Sequence, residues 1–373
     1  MNIIFSLFCF GLIITIAYCT IILLFCCGWK KTSESQTKIS KENLPFISVI
    51  VPFRNEKENL PILISALINQ TYPAEKYEII AVDDHSTDNS AVIFSTNLNF
   101  KNLIVLNNES EGKKNALKTG ILKSCGQLII TTDADCLPPQ LWLETIVENY
   151  LHSSPAMLSG GVKIKGNNSF FSRFQIVEHI SLQMCSASAI LLNNPIFCSG
   201  ANLAFEKNEW LNAINQIDGN NNLSGDDLFL MHIFKKKKKK IIYIKNKNAV
   251  VTTKTEKNIT DFMKQRMRWG GKSLEYKDIQ TIMLALMVFL TNLFISVSII
   301  FTFFYPNYFI PFVFVMKLFS DYQIIKQGID FFDFKMTFFD YIIFSIIYPF
   351  YITTAALGAV FGNVSWKGRK TKN

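Results

Sequence analysis

Residues 2–27 hold no charged side chain and are almost wholly apolar. A run of that length is long enough to cross a bilayer, and in lipid only a helix satisfies its backbone. Lys30 and Lys31 follow at once and favour an exit on the cytoplasmic side. A cleaved signal peptide is the competing reading, but no basic segment precedes the run and no small-x-small cleavage site is evident. Residues 280–304 and 337–361 are apolar in the same way. Residues 308–326 are apolar too, but carry Lys317 and Asp321. That segment either spans or re-enters the bilayer, tucked against protein. Two later crossings keep the basic tail Trp366-Lys367-Gly368-Arg369-Lys370 inside, whereas three put it outside. The expected organisation is an anchor at 1–28, a linker at 29–45, a catalytic domain at 46–272, a membrane region of two or three spanning helices at 273–362 and a basic tail at 363–373.

Composition matters mainly for what it excludes. The formal net charge of +9 on 373 residues raises nucleic acid as a partner. Much of the excess charge flanks apolar segments, which points to an anionic membrane leaflet instead. The run Lys235–Lys240 has no aromatic platform inside it, so a solvated face is preferred to lipid contact, and both to nucleic acid. The eight cysteines show no metal spacing and read as reduced, mostly buried thiols.

Between the apolar ends, short apolar runs alternate with helical patterns. Residues 46–52, 77–82, 103–106 and 128–132 read as strands, and Leu60, Leu63, Ile64, Leu67 and Ile68 recur at helical spacing. This is an α/β class, a mostly parallel sheet covered by helices, whose strand-end loops share one edge. Residues 157–162 look like an edge strand and 199–205 like a turn and strand. Residues 170–192 form a helix, either interfacial or core.

Acidic side chains sit where those strands end. Asp133 and Asp135, one residue apart after a buried strand, suit Mg²⁺ or Mn²⁺ carrying a diphosphate. Asp84 or Asp83 can accept hydrogen bonds from a base N–H or from ribose hydroxyls. Asp227, with Asp226 beside it, is the candidate base for an acceptor hydroxyl, since adjacent carboxylates raise one pKa. Arg268, with Lys113 and Lys114, offers positive charge to phosphates. Trp269 can stack on an acceptor sugar, and Asn202, in a polar loop, joins Asp227 and Trp269 as a candidate for acceptor binding. Together these groups meet the needs of sugar transfer from a nucleotide diphosphate.

The set resembles the membrane-bound members of glycosyltransferase family 2. The resemblance covers residues 46 to about 272. Its nucleotide-binding aspartate falls on Asp83-Asp84, its D-x-D motif on Asp133-Ala134-Asp135, its acidic pair on Asp226-Asp227, and its Q-x-x-R-W motif on Gln265, Arg268 and Trp269. Val51-Pro52 with Asn55-Glu56 resembles the opening strand and nucleotide loop, so Pro52, Asn55 and Glu56 join the donor side with Gln265. The resemblance implies a GT-A fold, an inverting transfer, a UDP-sugar donor and Mg²⁺ or Mn²⁺. His85 departs from it, standing where members commonly have Gly. The membrane portion is small for a polymer-extruding synthase, so a lipid or lipid-linked acceptor is expected, in a bacterial cytoplasmic membrane with the catalytic domain facing the cytoplasm. A processive polysaccharide synthase and a non-catalytic membrane scaffold are the rival readings.

Overall fold

β1 (Ile47–Phe53) is buried at every residue, and its sequence explains why. Ile-Ser-Val-Ile-Val-Pro-Phe offers apolar side chains to both faces, as a central strand covered on both sides requires. Val49, Val51 and Phe53 pack with Leu60, Leu63, Ile64 and Leu67 of the helix Leu60–Ile68 and with Trp142. On the opposite face, Ile50 meets Gly120 of the helix Lys113–Lys123, where an added Cβ would lie 2.7 Å from Ile50 Cγ2.

The computed structural model describes residues 2–33, 43–95, 100–214, 226–302, 304, 309–362, 365–366 and 369–370. It divides the chain into two compact units, one of residues 32–166 and 189–255, the other of residues 1–31, 167–188 and 256–373. They are called here the sheet unit and the helical unit.

In the sheet unit, β1 is followed by β2 (Tyr77–Asp83), β3 (Leu103–Asn107), β4 (Leu128–Thr131), β5 (Met157–Gly160), β6 (Val162–Lys165), β7 (Leu203–Glu206), β8 (Ile241–Ile244) and β9 (Val251–Lys254). Among the described residues, seven form one sheet in the order β3-β2-β1-β4-β7-β5-β8, while β6 and β9 pair separately. β1 runs parallel to β2 and β4, and β2 to β3. β7 runs antiparallel to both β4 and β5. The expected mostly parallel α/β sheet is therefore the architecture, with one reversed strand. The expectation of an edge strand at 157–162 is corrected: β5 lies inside the sheet, between β7 and β8, and Val162 starts β6 in the other sheet. Packing on both sides comes from strands far along the chain, which local pattern does not report.

Register decides which loops meet. Phe53 pairs Asp83, Ile50 pairs Thr131, Thr131 pairs Leu203 and Ser159 pairs Leu203. The ends of β1, β2, β4 and β5 and the start of β7 thus share one edge. β1 and β4 also mark the point where the strand order changes direction, the place where open α/β sheets bind ligands. Pro52 is tolerated in this central strand because the β1–β4 ladder stops at Ile50. Its missing N–H would face the space beyond β4's last residue.

The helical unit contains Asn2–Lys31, the helix Phe170–Leu191 as far as Ser188, Ile259–Gly271, Ile279–Thr302, Phe309–Phe332 and Phe338–Phe361. Among the described residues, three stretches are long and apolar enough to cross a membrane: Phe8–Lys31, Ile279–Thr302 and Phe338–Phe361. Residues 167–188 and 256–272, which lie inside the expected 46–272 stretch, group with this unit. Phe171, Phe174, Phe262, Phe344 and Tyr351 form one ring cluster, which draws the helix Phe170–Leu191 and the helix Ile259–Gly271 to the apolar helices. Within residues 170–192, Phe174, Val177, Ile180 and Met184 are buried and Phe170 is exposed.

The segment 308–326 does not loop back. Phe309–Phe332 is one 24-residue helix. Lys317 is paired with Asp321 one turn on, and the Tyr18 hydroxyl donates to Asp321 Oδ1 at 2.8 Å. With both charges satisfied inside the bundle, nothing forces the backbone to leave its helix.

Candidate active site

The loop after β1 is built to bind the loop after β2. Asn55 stands at φ 52°, a left-handed conformation that asparagine tolerates. Its N–H donates to Ser86 Oγ at 3.0 Å, and its Oδ1 accepts from Thr87 N at 2.8 Å. Glu56 N donates to Ser90 Oγ at 2.8 Å and Lys57 N to Asp88 Oδ2 at 3.1 Å. Desolvation pushes the Asp88 carboxyl up, but hydrogen bonds from Ser90 and from Lys57 N outweigh it and hold the carboxyl below its usual range. His85 adopts φ 61°. The turn is therefore the one glycine favours, made here with an imidazole.

Asp83 and Asp84 divide the work. Asp84 is 3% exposed, and its Oδ1 accepts from Asn108 Nδ2 at 2.9 Å and Gly112 N at 2.8 Å. It fastens the loop before the helix Lys113–Lys123. Gly112 itself has φ 107°, a conformation closed to most side chains. Asp83 is half-buried, and its Oδ1 accepts from Ser86 N at 2.9 Å.

β4 ends one residue earlier than expected, at Thr131, and Asp133 and Asp135 follow in a turn closed by Cys136 N donating to Asp133 O at 3.1 Å. Lys113 forms an ion pair with Asp133 Oδ1. Asp135 is exposed and its Oδ2 accepts from Thr253 Oγ1 at 3.4 Å. Desolvation and then the charges of Asp133 and Glu56 raise its carboxyl, with Lys113 opposing. Burial and the same two aspartates push the Cys136 thiol well up, so it remains protonated.

The turn before β7 joins this edge through Thr131, whose Oγ1 donates to Gly200 O at 2.8 Å. Gly200 N donates to Asp227 Oδ2 at 2.8 Å, and Leu228 N donates to Asp227 Oδ1 at 2.9 Å. Asp227 is thus fixed at the start of the helix Asp226–Lys236, where the helix dipole also favours a negative charge. Gly225 lies outside the described residues, as does the side chain of Asp226, and with it the expected repulsion between the two carboxylates.

Asn202 has a different use from the one expected of it. It is 1% exposed. Its Oδ1 accepts from Trp142 Nε1 at 2.9 Å, and its Nδ2 donates to Gly161 O at 2.8 Å and Ala249 O at 2.7 Å. Both amide hydrogens are used and the side chain is buried, so Asn202 ties Trp142, Gly161 and Ala249 together. Gly160 must stay small beside it, since a Cβ there would lie 2.3 Å from Asn202 Nδ2.

Could this edge hold a divalent ion? Among the described residues, no group of three or more His, Cys, Asp or Glu side chains is arranged to cage a metal. Mg²⁺ and Mn²⁺ do not need such a cage when a diphosphate supplies oxygens, because one or two carboxylates then suffice. Asp133 and Asp135, crowded by Glu56, fit that need.

Gln265, Arg268 and Trp269 belong to the helical unit, on the helix Ile259–Gly271. Between them stands Arg266, which the motif does not single out. It is 6% exposed and grips Glu178, with Nε 3.0 Å from Oε1. The Phe262 and Trp269 rings lie 4.5 and 4.4 Å from its guanidinium. Gln265 Oε1 accepts from Arg266, while Gln265 Nε2 donates to Glu256 at 2.6 Å. Burial lowers the Arg266 pKa, but Glu178 more than restores it. Desolvation, then Asp261, raises Glu256, with Arg266 and Arg268 opposing. The available signal was Glu178 itself, an acid in an apolar helix that had to have a partner.

Residues 48–209 match the model of Glycosyl transferase family 2. Over 150 residues the chain is 37% identical to the glycosyltransferase AglE of Haloferax volcanii, covering 37% of this chain and 49% of that one. Over 102 residues it is 35% identical to the undecaprenyl-phosphate 4-deoxy-4-formamido-L-arabinose transferase of Proteus mirabilis, covering 26% of this chain and 31% of that one. The chain therefore spans half or less of the length of these curated relatives. Among solved structures, the mannosyltransferase PcManGT from Pyrobaculum calidifontis, in complex with GDP-Man and Mn²⁺, superposes with a TM-score of 0.63 at 16% identity, covering 95% of this chain and 99% of that one. That likeness is one of fold, the expected GT-A fold.

Proposed function

Residues 48–209 are a glycosyltransferase family 2 domain, and from that premise we propose that the protein moves a sugar from a nucleotide-sugar, a UDP-sugar in our reading, to a hydroxyl of a lipid or lipid-linked acceptor. The observation that carries this is the single sheet edge on which Asp83, Lys113, Asp133, Asp135 and Asp227 are each held by named partners.

Asp133 and Asp135 would hold Mg²⁺ or Mn²⁺, which when bound neutralises the charge of the departing diphosphate. The complex of the Pyrobaculum mannosyltransferase with Mn²⁺ supports that choice. Lys113 and Lys114 add positive charge to the same phosphates. Asp84 keeps the loop 108–112 in place, which leaves Asp83, with Pro52, Asn55 and Glu56 shaping the turn beside it, to receive the base and ribose. Asp227 takes the proton of the acceptor hydroxyl as its oxygen attacks the anomeric carbon. The bond from that carbon to the diphosphate oxygen breaks, the electron pair leaves with the nucleoside diphosphate, and attack from the opposite side inverts the centre. The roles of Gln265, Arg268 and Trp269 in donor and acceptor binding rest on the family resemblance. Three helices long and apolar enough to span a membrane support a lipid-borne acceptor.

The experiment is transfer by membranes carrying the protein, with labelled UDP- and GDP-sugars, total membrane lipid and a mass measurement of the product. A single lipid-soluble glycoside, lost on metal chelation and regained with Mn²⁺, is the expected result. A ladder of products assigns the chain to the polymer synthases instead. No transfer from any donor leaves the scaffold reading.

A further inference from the structure

We propose that Lys113 is the built-in counter-charge of the metal-free site, so that a divalent cation must displace it from Asp133 and the donor diphosphate then receives it. The inference rests on the reading above, that Asp133 and Asp135 take the cation.

The root of Lys113 is fixed. It is the first residue of its helix, and the residue before it, Gly112, is held through its N–H by the buried carboxylate of Asp84. That carboxylate sits at the end of β2, while Asp133 follows β4, with β1 between them. The lysine therefore reaches along the sheet edge to its partner. Both members remain accessible, at 27% and 34% exposure, so the pair can open without unburying a charge. Around it stand Asp135 and Glu56, whose negative charges act on one another. The Lys113 ammonium thus pairs with Asp133 where two further carboxylates are close, an electrostatic position a divalent ion would fill better.

The consequence is coupling. A cation arriving alone must compete with the ammonium for Asp133. A cation arriving with a diphosphate offers the ammonium a second anion, so the competition disappears. Metal and nucleotide then favour each other's binding, and by linkage the factor is the same in both directions.

Mn²⁺ binding to the purified full chain, followed by the electron paramagnetic resonance signal of free Mn²⁺, tests this without turnover. It is measured alone and with UDP or GDP. In Lys113→Gln, Mn²⁺ alone is expected to bind ~2- to 5-fold more tightly than in wild type, the range that a part-exposed pair is worth, and the gain in affinity on adding nucleotide is expected to shrink. Lys113→Arg keeps the charge and is expected to behave as wild type, which separates loss of the ammonium from damage to the helix start. Unchanged or weaker Mn²⁺ binding in Lys113→Gln overturns the proposal. Asp133→Asn tests the underlying reading separately: if it leaves Mn²⁺ binding intact, the metal assignment itself is wrong.

Discussion

Charged side chains are treated in opposite ways in the two units. Among the described residues of the helical unit, the buried charges of Glu178, Arg266 and Lys317 are matched. Glu178 and Arg266 meet through more than one hydrogen bond, Tyr351 donates to Glu178 Oε1 at 3.0 Å, and two aromatic rings cover the guanidinium. Lys317 and Asp321 are matched likewise, with the Tyr18 and Tyr348 rings 5.3 and 5.2 Å from the ammonium. At the sheet edge, carboxylates gather instead. Asp133, Asp135 and Glu56 crowd together with Lys113 as the opposing charge. A matched buried pair holds helices in place. A gathering of like charges at a strand-order switch invites a ligand of the opposite sign.

The largest effect expected from this contrast is chemical. Asp227→Asn keeps one oxygen to accept from Gly200 N and gives up only the bond from Leu228 N, so folding should survive, but it removes the proton acceptor. Transfer should fall by ~10²- to 10⁴-fold, the usual worth of a general base, with the melting temperature little changed and nucleotide still bound. Activity within a few-fold of wild type would strip Asp227 of its role and weaken the view that the sheet edge is the reactive region.

The next effect is on stability, and it runs the other way between the units. Glu178→Ala leaves Arg266 buried with its main partner gone and should cost ~3–5 kcal/mol. Asp133→Ala opens a part-exposed pair and should cost ~1 kcal/mol or less. Thermal unfolding in one detergent compares the two directly. Replacing Glu178 and Arg266 together by Met should recover much of the loss, because no charge is then left unpaired. If Asp133→Ala proves the more damaging, the division into matched and reactive charges fails.

How much of this is legible in the sequence depends on distance along the chain. Strand ends marked by Asp83, Asp133 and Leu203 are visible, because period and turn chemistry are local. The shared edge follows from parallel crossovers. The interior place of β5 does not, since it depends on β7 and β8 arriving from more than forty residues away. Asn202 reads as a ligand residue for the same reason: its position in a loop is legible, but the convergence of Trp142, Gly161 and Ala249 on its amide is not. Two further features are legible from local rules alone. Lys317 and Asp321 stand four apart, the spacing at which a helix pairs opposite charges, and that spacing argues for a continuous helix against re-entry. Glu178 in its apolar helix likewise calls for a cation, and Arg266 stands in plain view inside the motif that yields Gln265, Arg268 and Trp269.

The smallest effect concerns the departure at His85. Its φ of 61° costs a side chain with a Cβ ~1–2 kcal/mol, and glycine would remove that cost. Glycine also frees the unfolded chain, which takes back ~0.5–1 kcal/mol. A contact opposes the change as well, because His85 Nδ1 lies 3.5 Å from Oδ1 of Asp84, the carboxylate that holds Gly112. His85→Gly should therefore raise stability by less than ~1 kcal/mol, a shift of a few degrees at most in the melting temperature. Nucleotide affinity should stay as it was, since the turn is already the glycine turn. A marked fall in melting temperature together with weaker nucleotide binding would show that the imidazole supports Asp84. In that case the charges of the sheet edge are more carefully matched than the comparison with the helical unit allows.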